Sequence, residues 1–81
     1  MNKNEYLALK KYIKTLCKDS VIELSQNVGL TQYDTDLLLY LNSDTGRIHT
    51  SLLLGICERK YTKDLKLCLG KVYDYLKRTS D

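Results

Sequence analysis

The chain has no proline, no phenylalanine and no tryptophan, and it contains only four glycines. So few obligatory breaks favour helices joined by short connections, and the expected fold class is all-α, a bundle of about five helices. Aromatic bulk falls entirely on seven tyrosines, whose rings should line the core edge with each hydroxyl reaching water or a partner. Three widely spaced cysteines, Cys17, Cys57 and Cys68, form no CxxC pair, and His49 is the only histidine. A zinc site would need four suitably spaced ligands, so no metal is expected. The thiols are instead expected to be reduced and to behave as small hydrophobes. Long apolar runs are also missing. Leu37–Leu41 and Leu52–Leu54 are far too short to span a bilayer. The first residues carry lysines without the apolar run and cleavage site of a signal peptide. No membrane association and a cytoplasmic location are expected.

At 81 residues the chain is one small domain with room for a modest core. Its net charge of +3 conceals a segregated pattern. Residues 1–18 carry five lysines against Glu5, a balance of +4. Residues 19–46 carry Asp19, Glu23, Asp34, Asp36 and Asp44 with no base, a balance of −5. Residues 47–78 carry eight bases against Glu58, Asp64 and Asp74, a balance of +5. Such segregation can orient a molecule in the field of a polyanion. The acidic middle should then either face away from the phosphates or pair internally with the basic ends.

Periodicity divides the chain into helices. The first should run from about Asn4 to Lys18, with Tyr6, Leu9, Ile13 and Leu16 inward. Ser20-Val-Ile-Glu23 has the form of a capping box and should open a short helix that ends near Asn27, with Gly29 as its stop. Thr31 is the next expected N-cap, with Asp34 repeating the box, and that helix should reach Leu41. Asn42-Ser-Asp-Thr-Gly46 is the clearest loop. A helix from about Arg47 to Leu54 and a long one from about Glu58 to Arg78 should follow, leaving only the first residues and Thr79–Asp81 frayed.

The last two helices carry the most information. A short helix, a break at Gly55-Ile56-Cys57 and a basic second helix form the pattern of a helix-turn-helix. With Tyr61 set at zero on a helical wheel, Leu65, Cys68, Leu69, Val72, Tyr75 and Leu76 fall within about 80° of it. Arg59, Lys63, Lys66 and Lys77 cluster near the opposite pole. Gly55 should take positive φ at the end of the short helix, where a Cβ would clash.

From Leu30 to Leu76 the order of features resembles the C-terminal (region 4) DNA-binding domain of bacterial sigma factors and sigma-like transcriptional regulators. Leu30-Thr-Gln-Tyr-Asp-Thr-Asp-Leu-Leu-Leu-Tyr40 occupies the place of that family's opening helix. Leu54-Gly55-Ile56-Cys57 stands for its L-G-I-S turn, with cysteine replacing the capping serine. Glu58-Arg-Lys-Tyr61-Thr-Lys-Asp-Leu65 and Cys68-Leu69-Gly70-Lys71-Val72 follow in register with its recognition helix. The departures are Thr50 and Ser51, where the family has aliphatic residue and alanine, Tyr61, where it has a β-branched residue, and Cys57, a poorer cap than serine. The resemblance covers residues 30–78. The upstream sigma domains are absent from these 81 residues, so a complete sigma factor is not expected.

Nothing points to catalysis. No cysteine or serine stands at motif spacing from His49, no glycine-rich phosphate loop occurs, and Asp34 and Asp36 would face apart on a helix. No catalytic residue and no cofactor are expected; His49 should be a polar surface residue. The expected function is double-stranded DNA binding in transcriptional regulation. Arg59, Lys60 and Lys63 are the expected base contacts, with Thr62 beside them, and Arg47, Lys66 and Lys71 the expected backbone contacts. The alternative is a protein-interaction module of the same shape that docks on RNA polymerase or another regulator through the acidic middle and the Leu37–Leu41 and Leu52–Leu54 runs. RNA binding ranks third, because the aromatic strand motif that stacks single-stranded bases is missing.

Overall fold

The computed structural model describes residues 1–79 as five helices: α1 (Lys3–Thr15), α2 (Lys18–Val28), α3 (Gln32–Asn42), α4 (Arg47–Leu54) and α5 (Glu58–Thr79). No strand occurs among the described residues, so the fold class is all-α as expected. Among them, no helix is long and apolar enough to cross a membrane. Ser80 and Asp81, expected to fray, lie outside the described residues, whereas Thr79 closes α5 with its hydroxyl donating to the Tyr75 carbonyl at 3.1 Å.

Helix α5 is the spine, because it packs against each of the other four. Its inward stripe, Tyr61, Leu65, Cys68, Leu69 and Val72, meets Leu9 and Ile13 of α1, Val21 of α2, and Leu37, Leu38 and Leu41 of α3 in one core. The helical phase expected for α5 therefore holds. Burial of Leu37, Leu38 and Leu41 corrects the idea that this run offers a docking surface. Cys68 sits in the core, and burial pushes its thiol up to about 12. Cys17 and Cys57 are exposed, so of the three thiols expected to behave as small hydrophobes only Cys68 is packed as one. Each of the other two precedes a helix, a position that faces solvent rather than the packed interior.

The first two helix boundaries differ from expectation for a tertiary reason. Asn42, at the end of α3, donates through Nδ2 to the carbonyls of Ile13 at 2.9 Å and Leu16 at 2.6 Å. These bonds satisfy the carbonyl groups that a continuing helix would have used. α1 therefore stops at Thr15 instead of Lys18, and Leu16 is extended. Only Leu16 and Cys17 remain to reverse the chain, so α2 starts at Lys18 with Cys17 as its N-cap. Ser20 lies inside the first turn, and the expected Ser20–Glu23 box does not form; the serine hydroxyl meets Cys17 Sγ at 3.1 Å. A capping box does form at the chain start, where Asn2 Oδ1 accepts from the Glu5 amide at 2.8 Å and the Asn2 amide donates to Glu5 at 2.9 Å. Thr31 caps α3 by accepting from the Asp34 amide at 3.2 Å, but the Asp34 carboxylate turns to Lys71 instead of back to the cap. Gly29 ends α2 in the left-handed region, and the Leu30 amide reaches the Ser25 carbonyl at 3.0 Å, as a Schellman turn requires.

Two tyrosine–carboxylate bonds tie α5 to its neighbours and give stability a pH window. The Tyr73 hydroxyl donates to Glu5 on α1, and the Tyr33 hydroxyl donates from α3 to Asp64 at 2.6 Å. Glu5 is held below its ordinary value by its bond to the Asn2 backbone and then by Tyr73. Asp64 is lowered by Tyr33 and then by Lys60. A depressed carboxylate contributes stability above its unfolded pKa and loses it as pH falls through the folded value. Tyr33 behaves oppositely: burial, then the bond to Asp64, pushes its phenol up to about 12, so its contribution is lost as pH rises toward that value. The melting temperature is expected to be flat near neutrality, to fall below about pH 4.5 and to fall again above about pH 10. Asp64→Asn should shrink both slopes. A melting profile of the variant that superimposes on the parent's across this range would remove these bonds as the cause.

Candidate nucleic-acid interface

The connection between α4 and α5 is built from local chemistry. Gly55 takes φ 69° and ψ 32°, and the Ile56 amide returns to the Ser51 carbonyl at 3.0 Å, closing a second Schellman turn. The left-handed glycine was legible in the sequence. Beyond its chain neighbours a Cβ built there would meet no heavy atom within 4 Å, so the strain is local, a Cβ crowding the adjoining backbone carbonyl. Gly55→Val is expected to cost more than about 1 kcal/mol, read as a lower denaturation midpoint, because a β-branched residue fits that region badly. Parent-like stability would contradict this geometry. Cys57 then opens α5, its sulfur accepting from the Lys60 amide at 3.4 Å, so the thiol performs the task of the missing serine.

Polar side chains fill the buried side of α4. Thr50 and Ser51 are almost fully buried, and their hydroxyls donate to the carbonyls of Thr45 at 3.2 Å and Ile48 at 2.9 Å. Ile48, Leu52 and Leu53 face outward at 60%, 76% and 55% exposure. The helix that looked merely apolar in sequence is thus turned with three of its four apolar residues to solvent, while Leu54 packs against the core. His49 is exposed, as expected.

Five of the seven expected contact residues converge. Arg47 at the start of α4 and Arg59, Thr62, Lys63 and Lys66 of α5 line one open groove of about 680 Å³, with Glu58 at its edge. Four cations therefore surround a single carboxylate. Arg47 Nε holds Glu58 at 3.0 Å, with both side chains about half exposed. An ion pair so exposed contributes about 0–1 kcal/mol, little enough for a phosphate to displace the carboxylate. Thr62 donates its hydroxyl to the Glu58 carbonyl at 3.0 Å.

Lys60 and Lys71 stand apart from the groove. Lys60 pairs with Asp64 at 3.0 Å and lies over the Tyr33 ring at 5.9 Å, and Lys71 pairs with Asp34 at 3.5 Å. On the wheel both fall on the flank that turns toward α3, so they hold two helices together. The acidic middle is thus partly consumed internally: Asp34 meets Lys71, and Asp44 meets Lys14 at 3.1 Å. Sequence reading missed Lys10 and Lys14 of α1. Together with Arg47 and Thr62 they line a neighbouring pocket, which brings the basic N-terminal segment beside the groove. No periodicity within α1 could have signalled that, because only the packing of α1 against α5 brings it about. Among the described residues, no three His, Cys, Asp or Glu side chains gather as metal ligands would.

No family model matches the chain, and comparison with curated proteins and with solved structures gives no significant match.

Proposed function

We propose that this chain is a double-stranded DNA-binding protein of the cytoplasm that serves transcriptional regulation, using α5 as its recognition helix and having no catalytic role. The observation that carries the reading is the convergence of Arg47, Arg59, Thr62, Lys63 and Lys66 on one open groove. Their position on the helix adds to it. Arg59 and Lys63 occupy the first two turns of α5, where the positive end of the helix dipole disfavours cations. Bases kept at a site that costs helix stability point to an anion supplied from outside.

In this reading Arg59 and Lys63 face base edges in the major groove, Arg59 with two donors suited to guanine. Arg47 and Lys66 hold backbone phosphates. Lys60 and Lys71, engaged with Asp64 and Asp34, keep α5 seated and join the duplex only by giving up those pairs. The sigma-like order of features in residues 30–78 supports the same conclusion.

The test is a mobility-shift titration against random duplex DNA at two salt concentrations. Neutralising the two phosphates held by Arg47 and Lys66 would give a slope of about −1.8 in log affinity against log salt. Absence of binding, or binding indifferent to salt, would remove the proposal. Salt-indifferent binding to a protein belongs to a second reading, favoured by the outward Ile48, Leu52 and Leu53 of α4: a module that docks on RNA polymerase or another regulator.

A further inference from the structure

The pocket beside the groove has features that duplex binding by α5 does not use. It measures about 290 Å³ and is enclosed by α1, the α3–α4 loop, the start of α4 and α5. We propose that it is a second anion site, built for a phosphate ester.

Three independent features converge there. Lys10, Lys14 and Arg47 line it against the single carboxylate of Asp44. The N-terminus of α4 opens on it through Gly46 and Arg47, and Gly46 has no side chain with which to cap the helix. The first amide tied back into the helix is that of Thr50, to the Gly46 carbonyl at 3.0 Å, so the amides of Arg47, Ile48 and His49 keep no helical partner. Free amides at the positive end of a dipole attract phosphate oxygens.

The third feature is Tyr61. The residue is only 6% exposed and lines the pocket, yet no group among the described residues bonds its hydroxyl. Because no fully buried side-chain oxygen or nitrogen among those residues lacks a partner, this hydroxyl keeps some access to water. Burial, and then the neighbouring Tyr6, holds its phenol above the ordinary value, so at neutral pH it stays a donor. A donor with no acceptor in the protein, on the wall of a pocket that also gathers cations and free amides, suits a phosphate oxygen. The rings of Tyr6 and Tyr40, with Leu41 and Leu65, supply an apolar wall for the body that carries the phosphoryl group.

Phenyl phosphate is the probe, followed through backbone amide resonances at constant ionic strength. Saturable shifts are expected at Gly46, Arg47 and Ile48, with phenol and inorganic phosphate each weaker. Tyr61→Phe should melt like the parent, since no protein bond is lost, and should weaken the probe about fivefold, one hydrogen bond's worth. Lys14→Gln should weaken it as well. Shifts that never saturate, shifts equally large around Arg59 and Lys66, or parent-like affinity in Tyr61→Phe would each overturn the site.

A short duplex then distinguishes the source of the phosphate. Displacement of the probe by duplex, with duplex binding itself weakened by Lys14→Gln, assigns the site to the DNA backbone. Retention of the probe on the duplex-bound protein assigns it to a free phosphate ester. Probe binding without any duplex binding upholds this site and removes the DNA reading; duplex binding without probe binding removes this site alone.

Discussion

Leu65→Ala is expected to destabilise the fold by about 2–5 kcal/mol, the ordinary cost of removing buried methyl groups and leaving a cavity. Leu65 is only 2% exposed and lies on the helix against which all the others pack, so neighbouring side chains from several elements would have to move together to fill the gap. Total stability for a small domain falls near the low end of about 5–15 kcal/mol, so the loss is a large share of the whole. Denaturant titration followed by helical circular dichroism reads it directly. DNA binding should disappear in parallel with the helix signal, as a consequence of unfolding. A variant within about 0.5 kcal/mol of the parent would match an ordinary surface change and would contradict the packing described for α5.

Lys63→Gln combined with Lys66→Gln should do the opposite: spare the fold and remove the function. Both side chains are exposed and line the groove. The melting temperature should hardly move, because surface substitutions usually stay within about 0.5 kcal/mol. With Lys66 on a phosphate and Lys63 on a base edge, the salt slope should lose about one unit, and affinity should fall with discrimination relaxed at the base that Lys63 reads. The pair of variants separates loss of structure from loss of contact. A folded double mutant with an unchanged titration curve would remove the groove from the binding surface.

How far the sequence could be read depended on the range of the forces involved. The stripe of α5 was legible because it repeats within one helix, and all five of its buried residues follow from the spacing after Tyr61. Gly29, Thr31 and Gly55 were legible because turns and caps are settled by adjacent residues. The end of α1 was not, since Asn42 takes its carbonyls from 26 and 29 residues away. Ser20 misled for the same reason: a capping pattern states what a residue can do, and the position of the chain reversal decides whether it does. Among the contact residues, Lys60 with Asp64 was an i, i+4 pair open to inspection, while Lys71 with Asp34 crosses between helices. The orientation of α4 was hidden most deeply. Leu52 and Leu53, in the run offered as a docking surface, do face outward with Ile48, but nothing in the sequence signalled that Thr50 and Ser51 take the buried side.

That inverted helix has a consequence for motion. The buried hydroxyls of α4 bond within the segment from Thr45 to Ser51, so lifting the helix off the bundle would break neither bond. Its main packing is against α5 alone, and most of its apolar surface already meets water. A segment with so little to lose on opening sits at the low end of the local unfolding scale. The amides of α4 should therefore exchange with solvent hydrogen well before those of α3 or the middle of α5. Because α4 carries Arg47, each opening would also take apart one wall of the groove and the mouth of the neighbouring pocket, and an anion bound at either would hold the helix shut.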